Sequence, residues 1–300
     1  MIKDQVTIIN YQWSIGLLPI GPLPIGPLLI GALLTGSLLI GSPALASDDF
    51  RKRASQIEET FSTEDDVKAE VVFGRELGAR ILGRYTLYED KDLTRYLNMV
   101  GKGIAQNTGR PEIEFRFAVL DTDMVNAFAA PGGYIFITKG ALKMMDDEAE
   151  LAAVLAHEVA HVTERHIVKE LSIKATDDSA ATGLARVLGG GTDTMRVVFN
   201  QMVDKAVELL FEKGLKKQDE MDSDRIAMMT ITNAGYDPTA LSRYLNKISS
   251  AEKDTKLLTG THPTFEERIK GLDMVLAENL LTDKKQPIVK ERFNENVKIK

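Results

Sequence analysis

This 300-residue chain has the amino-acid pattern of an α+β protein, mostly helical, in which a small β-sheet lies beside a buried helix. Apolar residues recur at three- and four-residue spacing over long stretches, as they do in amphipathic helices. Only two short stretches, 113–120 and 134–138, have the character of strands. Hydrophobic residues make up 44% and charged residues 27%, which is an ordinary mixture for a folded chain and argues against disorder.

The first half of the folded part is predicted to place two strands among helices. A charged helical lead-in precedes helical patterns at about 75–84 and 91–107. Residues 113–120 then alternate apolar and polar side chains, as a half-buried strand does. Tyr134–Thr138 forms a second extended stretch after Pro131, Gly132 and Gly133, which mark a tight turn.

The second half is predicted to be helical. A helix of about 25 residues is expected from Asp146, because acidic residues at its start suit the positive end of the helix dipole. A Gly-rich stretch over 172–203 is typical of a mobile connection or a lid. Further helices are expected at three places, about 204–233, 238–250 and 263–280. The charged tail over 284–300 is expected to be loose or strand-like.

Residues 1–46 differ from the remainder and predict export. No charged residue occurs from Trp13 to Ala46, and Ala44 and Ala46 are small residues suited to cleavage after Ala46. The apolar stretch is longer than a usual signal, so an uncleaved membrane anchor is the alternative. Pro19, Pro22, Pro24 and Pro27 are poor residues for the interior of a spanning helix. Either way, residues 47–300 are expected in the periplasm or cell envelope, with possible membrane association through residues 1–46.

Composition excludes several classes of function. The formal charge of −7 provides no general attraction for nucleic acid, so no nucleic-acid partner is expected. The absence of cysteine excludes disulfides, thiolate metal sites and a cysteine nucleophile. Gly189–Gly191 lacks the Lys-Ser/Thr that follows the glycines of a phosphate-binding loop.

The segment ELAAVLAHEVAHVTERH over 150–166 indicates a metal site. His157 and His161 are four residues apart, so a helix projects both imidazoles from one face toward one cation. Glu158 lies beside the first histidine, where its carboxylate can accept a proton from water. The alternative interpretation is a pair of core histidines satisfied by hydrogen bonds.

A zinc site of this kind needs a third protein ligand. His166 follows His161 by five residues, a poor spacing for a ligand, and is expected at a helix end or behind a ligand. Glu220 and Asp224 are a better pair, because they are four residues apart on one helical face. Glu220 can bind zinc while Asp224 accepts the remaining N–H of a histidine. The alternative is an exposed acidic helix face.

Five collinear motifs resemble metallopeptidase family forty-eight, the gluzincin group of HtpX, the CaaX prenyl proteases and BepA. They are NAFAAPGGYIFITKGAL (126–142), HEVAHVTERH (157–166), EMDSD (220–224), AGYDP (234–238) and THPTFEERI (261–269). The resemblance implies a zincin-type domain over residues 47–283 that holds one Zn²⁺ per chain through His157, His161 and Glu220. It also implies Glu158 as the general base and Asp224 as the partner of a ligand histidine. Ser223 stands where the family usually has Ala.

The resemblance also implies where substrate binds. An extended peptide is expected on an edge strand that includes Asn126, Ala127, Phe128 and Ala129, or on 134–138. His262 has two interpretations: a residue at a helix start, or a group that approaches the zinc or assists catalysis.

The function expected from these motifs is hydrolysis of peptide bonds in unfolded or damaged exported proteins, by a soluble exported member of the family without a tetratricopeptide domain. The alternative is a latent or chaperone-like zinc protein that binds extended clients with little turnover. A zinc hydrolase of small molecules is a third reading, and it predicts a closed apolar pocket.

Overall fold

The computed structural model describes residues 64–106, 108–173, 193–251 and 263–299. Within them the chain is mostly helical and contains one three-stranded sheet, which confirms the expected α+β class. Residues 1–46 and His262 lie outside the described ranges, so the structure does not bear on the interpretations given to them. No helix in the described part is long and apolar enough to cross a membrane.

The sheet consists of β1 (Arg116–Leu120), β2 (Ala127–Ala130) and β3 (Tyr134–Thr138), in the order β1-β3-β2. Strand β3 lies in the centre, parallel to β1 and antiparallel to β2. A 3₁₀ turn over Pro131–Gly133 joins β2 to β3. Gly133 has a φ of 90°, and a Cβ there would lie 2.7 Å from the carbonyl oxygen of Glu114, so this tight turn requires glycine.

Ten helices and one π turn surround the sheet in the described residues. The turn covers Leu209–Lys213. The helices are α1 (Glu64–Arg84), α2 (Lys91–Ala105), α3 (Lys139–Lys143), α4 (Glu148–Thr163), α5 (His166–Glu170), α6 (Asp193–Glu208), α7 (Lys217–Asn233), α8 (Ala240–Ser250), α9 (Phe265–Glu278) and α10 (Lys290–Asn296).

An apolar cluster lies on each face of the sheet. Because side chains alternate along a strand, Ile135 and Ile137 enter one cluster while Phe136 enters the other. The first cluster includes side chains of α2, α4, α7, α8 and α9, and the second includes those of α1, α5 and α6. Helix α4 is buried at every position from Glu148 to Val162. The metal-site motif therefore lies on a rigid element inside the first cluster.

Two predicted long helices are interrupted. The helix expected to run about 25 residues ends at Thr163, because Arg165 adopts the left-handed conformation with a φ of 59°. The helix expected over about 204–233 is also wrong as a single element. It starts earlier, at Asp193, passes into the π turn, and stops at Gly214, whose φ of 74° and ψ of 171° lie outside the helical region. Helix α7 then begins at Lys217.

The C-terminal tail corrects another prediction. It was expected to be loose or strand-like, but Lys290–Asn296 forms helix α10. Phe293 is buried in the first apolar cluster, and the guanidinium of Arg292 donates hydrogen bonds to the buried carboxylate of Glu148. Helix α10 is thus attached to the rest of the fold by at least one apolar and one charged contact.

Candidate metal centre

The metal-site motif is held by two packed helices, α4 and α7. Helix α4 begins at Asp147, whose side chain accepts a hydrogen bond from the backbone N–H of Glu150 at 3.0 Å. Small residues such as Ala153 and Ala160 lie along α4 and let neighbouring elements approach closely. His157, Glu158 and His161 are 5%, 8% and 7% exposed, so burial fixes all three side chains.

Three predicted ligands converge on one point. His157, His161 and Glu220 form a group in the described residues with ligand atoms close enough to hold one ion. The Nε2 atoms of the histidines are 3.0 Å apart, and the Glu220 carboxylate oxygens lie 3.6 Å from Nε2 of His157 and 3.5 Å from Nε2 of His161.

These separations fit a zinc ion. Tetrahedral zinc with bonds of about 2.0–2.1 Å places its ligand atoms about 3.3–3.4 Å apart. A carboxylate and two imidazoles are also donor types that zinc prefers. The chemistry of the donor set and its spacing therefore agree on the same ion.

A carboxylate behind His157 orients its ring. Oδ1 of Asp224 lies 2.9 Å from Nδ1 of His157, so this nitrogen donates its hydrogen and Nε2 is left to face the ligand group. Asp224 in turn accepts two hydrogen bonds from Arg268, from Nε at 2.8 Å and from Nη2 at 2.6 Å. The predicted position of Asp224 behind a histidine is the one observed.

The charged groups around His157 favour the positively charged form of its imidazole. Burial and the Arg268 charge lower the pKa of His157, but hydrogen bonds to Asp224 and Glu220 outweigh them and raise it to about 9. Burial raises the pKa of Asp224, yet the guanidinium of Arg268 brings it down to about 2. Asp224 is therefore ionised at neutral pH and holds His157 in one orientation.

His161 has different neighbours on its far side. Its Nδ1 lies 2.9 Å from Nδ1 of His166 and 3.3 Å from Oγ of Ser223. His166 is the first residue of α5 and contacts a predicted ligand without joining the ligand group, as the spacing indicated. Ser223 stands where the family usually has Ala, and its hydroxyl contacts His161, which an alanine cannot do.

The predicted substrate strand is β2. Asn126 directly precedes it, with its backbone bonded to Thr138, and Ala127, Phe128 and Ala129 lie within it. In the described ranges β2 is paired on one edge only, by β3. The alternative segment 134–138 is wrong as a docking strand, because β3 is flanked on both sides by β1 and β2.

Glu158 lies between two recesses that follow β2. One is lined by Asn126, Ala127, His157 and Glu158, and the other by Ala127, Ala129, Glu158 and Glu220. Sequence reasoning missed the first recess and the role of Arg268, which the motif THPTFEERI contains. The presence of Arg268 in this motif indicated that the residue has a role, but the spacing of the motif does not show which side chains Arg268 contacts.

The fold and the site define a class. A buried helix with two histidine ligands and an adjacent glutamate, a third ligand from a second helix, and a small mixed sheet are the parts of a zinc metallopeptidase. The sequence agrees: residues 91–275 match the model of Peptidase family M48. The chain belongs to this family of zinc-dependent peptidases.

Curated relatives carry protease names. The chain is 27% identical over 212 residues to the beta-barrel assembly-enhancing protease of Escherichia coli (strain K12), a match that covers 63% of this chain and 40% of the relative. It is 28% identical over 233 residues to the mitochondrial metalloendopeptidase OMA1 of Schizosaccharomyces pombe, with 77% and 62% covered. The chain thus spans about two fifths of the bacterial relative's length.

Proposed function

We propose that this protein is a zinc-dependent endopeptidase in which His157, His161 and Glu220 hold the metal and Glu158 is the general base. The observation that carries the proposal is the buried ligand triangle with Glu158 beside it, next to a strand that is paired on one edge only in the described residues. The family and the endopeptidase names of its relatives support this activity.

The residues divide the chemistry between them. When bound, zinc polarises a peptide carbonyl and lowers the pKa of water. Glu158 accepts a proton from the attacking water and returns it to the amine nitrogen of the leaving peptide. Asp224 keeps Nδ1 of His157 protonated and the ring in place, and Ser223 and His166 hold the ring of His161.

The substrate is proposed to be an extended segment of an unfolded or damaged exported protein. A strand paired on one edge can accept a peptide through main-chain hydrogen bonds, which recognise backbone rather than sequence. Chain that lacks its own structure presents such segments throughout its length. The relative named as a beta-barrel assembly-enhancing protease supports a role in quality control of the cell envelope. Export rests on the character of residues 1–46.

The test compares the full chain with Glu158→Gln on an unfolded protein, with bound zinc quantified. We expect cleavage to fall by about 10³-fold or more, because the general base is lost, while zinc stays near one per chain. Glu266→Gln is the matched control, since Glu266 is exposed in the first turn of α9, and it should cleave like wild type. Equal cleavage by Glu158→Gln would exclude Glu158 as the base.

The same experiment addresses the latent or chaperone-like alternative. A binding protein would retain zinc and protect the client without cutting it, in wild type and in Glu158→Gln alike. A peptidase cuts the client only when Glu158 is present.

A further inference from the structure

The two histidines of the ligand group are supported differently on their far sides. Behind His157, Oδ1 of Asp224 lies 2.9 Å from Nδ1. Behind His161, two groups lie within reach of Nδ1, which are Nδ1 of His166 at 2.9 Å and Oγ of Ser223 at 3.3 Å. Because Nε2 of His161 faces the ligand group, the N–H hydrogen of its neutral ring is on Nδ1, and one acceptor is enough for it. His161 therefore has one acceptor more than it needs.

The first of these acceptors, His166, is on a weakly supported element. It begins α5, a helix of only five residues with no side-chain cap at its start. Arg165 precedes this helix and Ser172 follows it, and their φ angles of 59° and 53° lie in the left-handed region that residues other than glycine rarely adopt. A helix this short is not stable by itself. The position of His166 therefore depends on how α5 packs against the rest of the fold.

The second acceptor, Ser223, is on a longer helix that also carries a predicted ligand. Helix α7 has 17 residues and packs directly against α4. Glu220, Ser223 and Asp224 are 0%, 0% and 2% exposed, and their spacing of three and four residues places them on one face of α7. With serine at this position, α7 supplies the third ligand and one acceptor for each histidine.

The chemistry of the two acceptors also favours the serine. Nδ1 of His166 accepts a hydrogen bond only when the hydrogen of that ring is on Nε2. The hydroxyl oxygen of Ser223 has two lone pairs and a hydrogen that rotates, so it accepts a hydrogen bond in every orientation of that hydrogen that points elsewhere. Alanine, which the family usually has at this position, has no side-chain acceptor and would leave this role to His166.

We propose that Ser223 is a positioning residue: its hydroxyl replaces Nδ1 of His166 as the acceptor for His161, so that zinc stays bound when α5 does not support the ring. The inference rests on the metal site of the proposed function and adds a property that the ligand set does not have by itself. That property is tolerance of the site to displacement of α5.

A double-mutant cycle on the full chain tests this proposal, and zinc affinity is the quantity measured. Competition with a chelator gives the affinity without any need for cleavage. Ser223→Ala and His166→Ala should each lower it by about 10-fold, the lower end of the range for a group behind a ligand. Because either acceptor is sufficient, the double variant should lose at least about 10³-fold, which is about 10-fold more than the product of the single losses.

The outcomes of the cycle are distinct. A loss in the double variant equal to the product of the single losses, or smaller, would overturn the inference and leave the ligand assignment in place. Absence of zinc from wild type would contradict the ligand assignment, and this inference with it. His166→Phe keeps most of the ring volume without an acceptor, and it replaces His166→Ala in the cycle if the double variant does not fold.

Matched variants separate the hydroxyl from the general effect of a buried substitution. Ser242→Ala is the control, because it removes a buried helical hydroxyl that has no hydrogen-bond partner in the described residues, and it should bind zinc like wild type. Ser223→Thr keeps the hydroxyl and should bind zinc more tightly than Ser223→Ala. Equal losses of affinity in Ser223→Ala and Ser242→Ala, or no recovery in a folded Ser223→Thr, would overturn the assignment.

Discussion

Two buried carboxylates lie near opposite ends of helix α4, one belonging to its first residue and one to α7, and their neighbours are of different kinds. At its N-terminal end, Glu148 accepts hydrogen bonds from the hydroxyls of Tyr96 and Tyr236, at 2.8 and 2.6 Å, and from the guanidinium of Arg292. Toward its C-terminal end, Glu220 of α7 faces the Nε2 atoms of His157 and His161. Both carboxylates are fully buried.

The contrast shows how a structural carboxylate differs from a metal ligand. Burial raises the pKa of Glu148, but Arg292 and the two tyrosines outweigh it and the net pKa is lowered. This cluster is complete without an ion, since permanent donors surround the anion. The ligand group instead brings together acceptor atoms of three side chains at 3.0–3.6 Å. A shared cation satisfies all three at once.

The largest effect is expected from a substitution that removes one acceptor atom from the ligand group. His161→Ala should lower bound zinc from about one per chain to near zero and abolish cleavage, because two ligands do not hold a catalytic zinc. Zinc is measured by metal analysis after dialysis. His166→Ala is the matched control: it should retain zinc and lose only about 10–100-fold in affinity, as expected for a group behind a ligand. Full zinc in His161→Ala would refute the ligand assignment.

The next largest effect is expected when the positive charge of Arg268, which lies behind His157 and Asp224, is removed. Arg268→Met leaves the buried Asp224 without its guanidinium and should cost about 3–5 kcal/mol of unfolding free energy. Zinc affinity should fall by about 10–100-fold, since Asp224 no longer has a fixed position. Urea unfolding and competition with a chelator measure the two quantities. Arg268→Lys restores the charge without the two-pronged bond, so intermediate values are expected.

A smaller effect is expected at the other end of α4. Arg292→Leu removes the charged donor from Glu148 and should cost about 2–3 kcal/mol, less than a fully buried pair because the Arg292 side chain is half exposed. Zinc stoichiometry should not change. Lys290→Leu, an exposed position on the same helix, should stay within about 0.5 kcal/mol. Loss of zinc in Arg292→Leu would show that the two ends are not independent.

The ion pair between Glu148 and Arg292 also makes the free energy of unfolding depend on pH. The folded-state pKa of Glu148 is below its ordinary value of 4.5, so its contribution to stability is complete above that pH and is lost as pH falls through the folded pKa. Wild type should therefore lose more unfolding free energy than Arg292→Leu between about pH 6 and pH 3.5. Urea midpoints at several pH values measure the difference. If the urea midpoints of both proteins fell equally with pH, Arg292 would not be the cause of the lowered pKa of Glu148.

The smallest effect is expected when one uncharged hydrogen-bond donor to Glu148 is removed. Tyr236→Phe leaves Glu148 with Arg292 and Tyr96 and should cost about 1.5 kcal/mol, the low end of the range for a hydrogen bond to a charged group. Thermal unfolding measures it, with activity unchanged. A loss as large as that of Arg292→Leu would mean that the tyrosine, and not the guanidinium, compensates the buried charge.

Much of the metal centre could be predicted because its spacing is local. His157 and His161 are four residues apart on one helix, as are Glu220 and Asp224 on another, so the 3.6-residue period places each pair on one face. Periodicity alone left Glu220 as one of several acidic residues on α7. The family motifs singled it out.

The Glu148 cluster could not be predicted, because its partners come from distant places. Tyr96 lies on α2, Tyr236 follows α7 and Arg292 lies on α10, and no spacing relates them. The breaks at Arg165 and Gly214 were also missed. Apolar periodicity continues across both, and only the backbone angles at these residues stop the helices. The central position of β3 depends on the chain order of the strands, which their composition does not encode.

The ligands on α4 and α7 also bear on how the protein acquires its metal. His161 and Glu220 are about 60 residues apart in sequence, and closing a loop of that length costs conformational entropy before any contact compensates for it. The two histidines on α4 alone form an incomplete site in the unfolded chain. High-affinity binding therefore requires α7 docked on α4, so the free energy of zinc binding also stabilises the contact between these two helices.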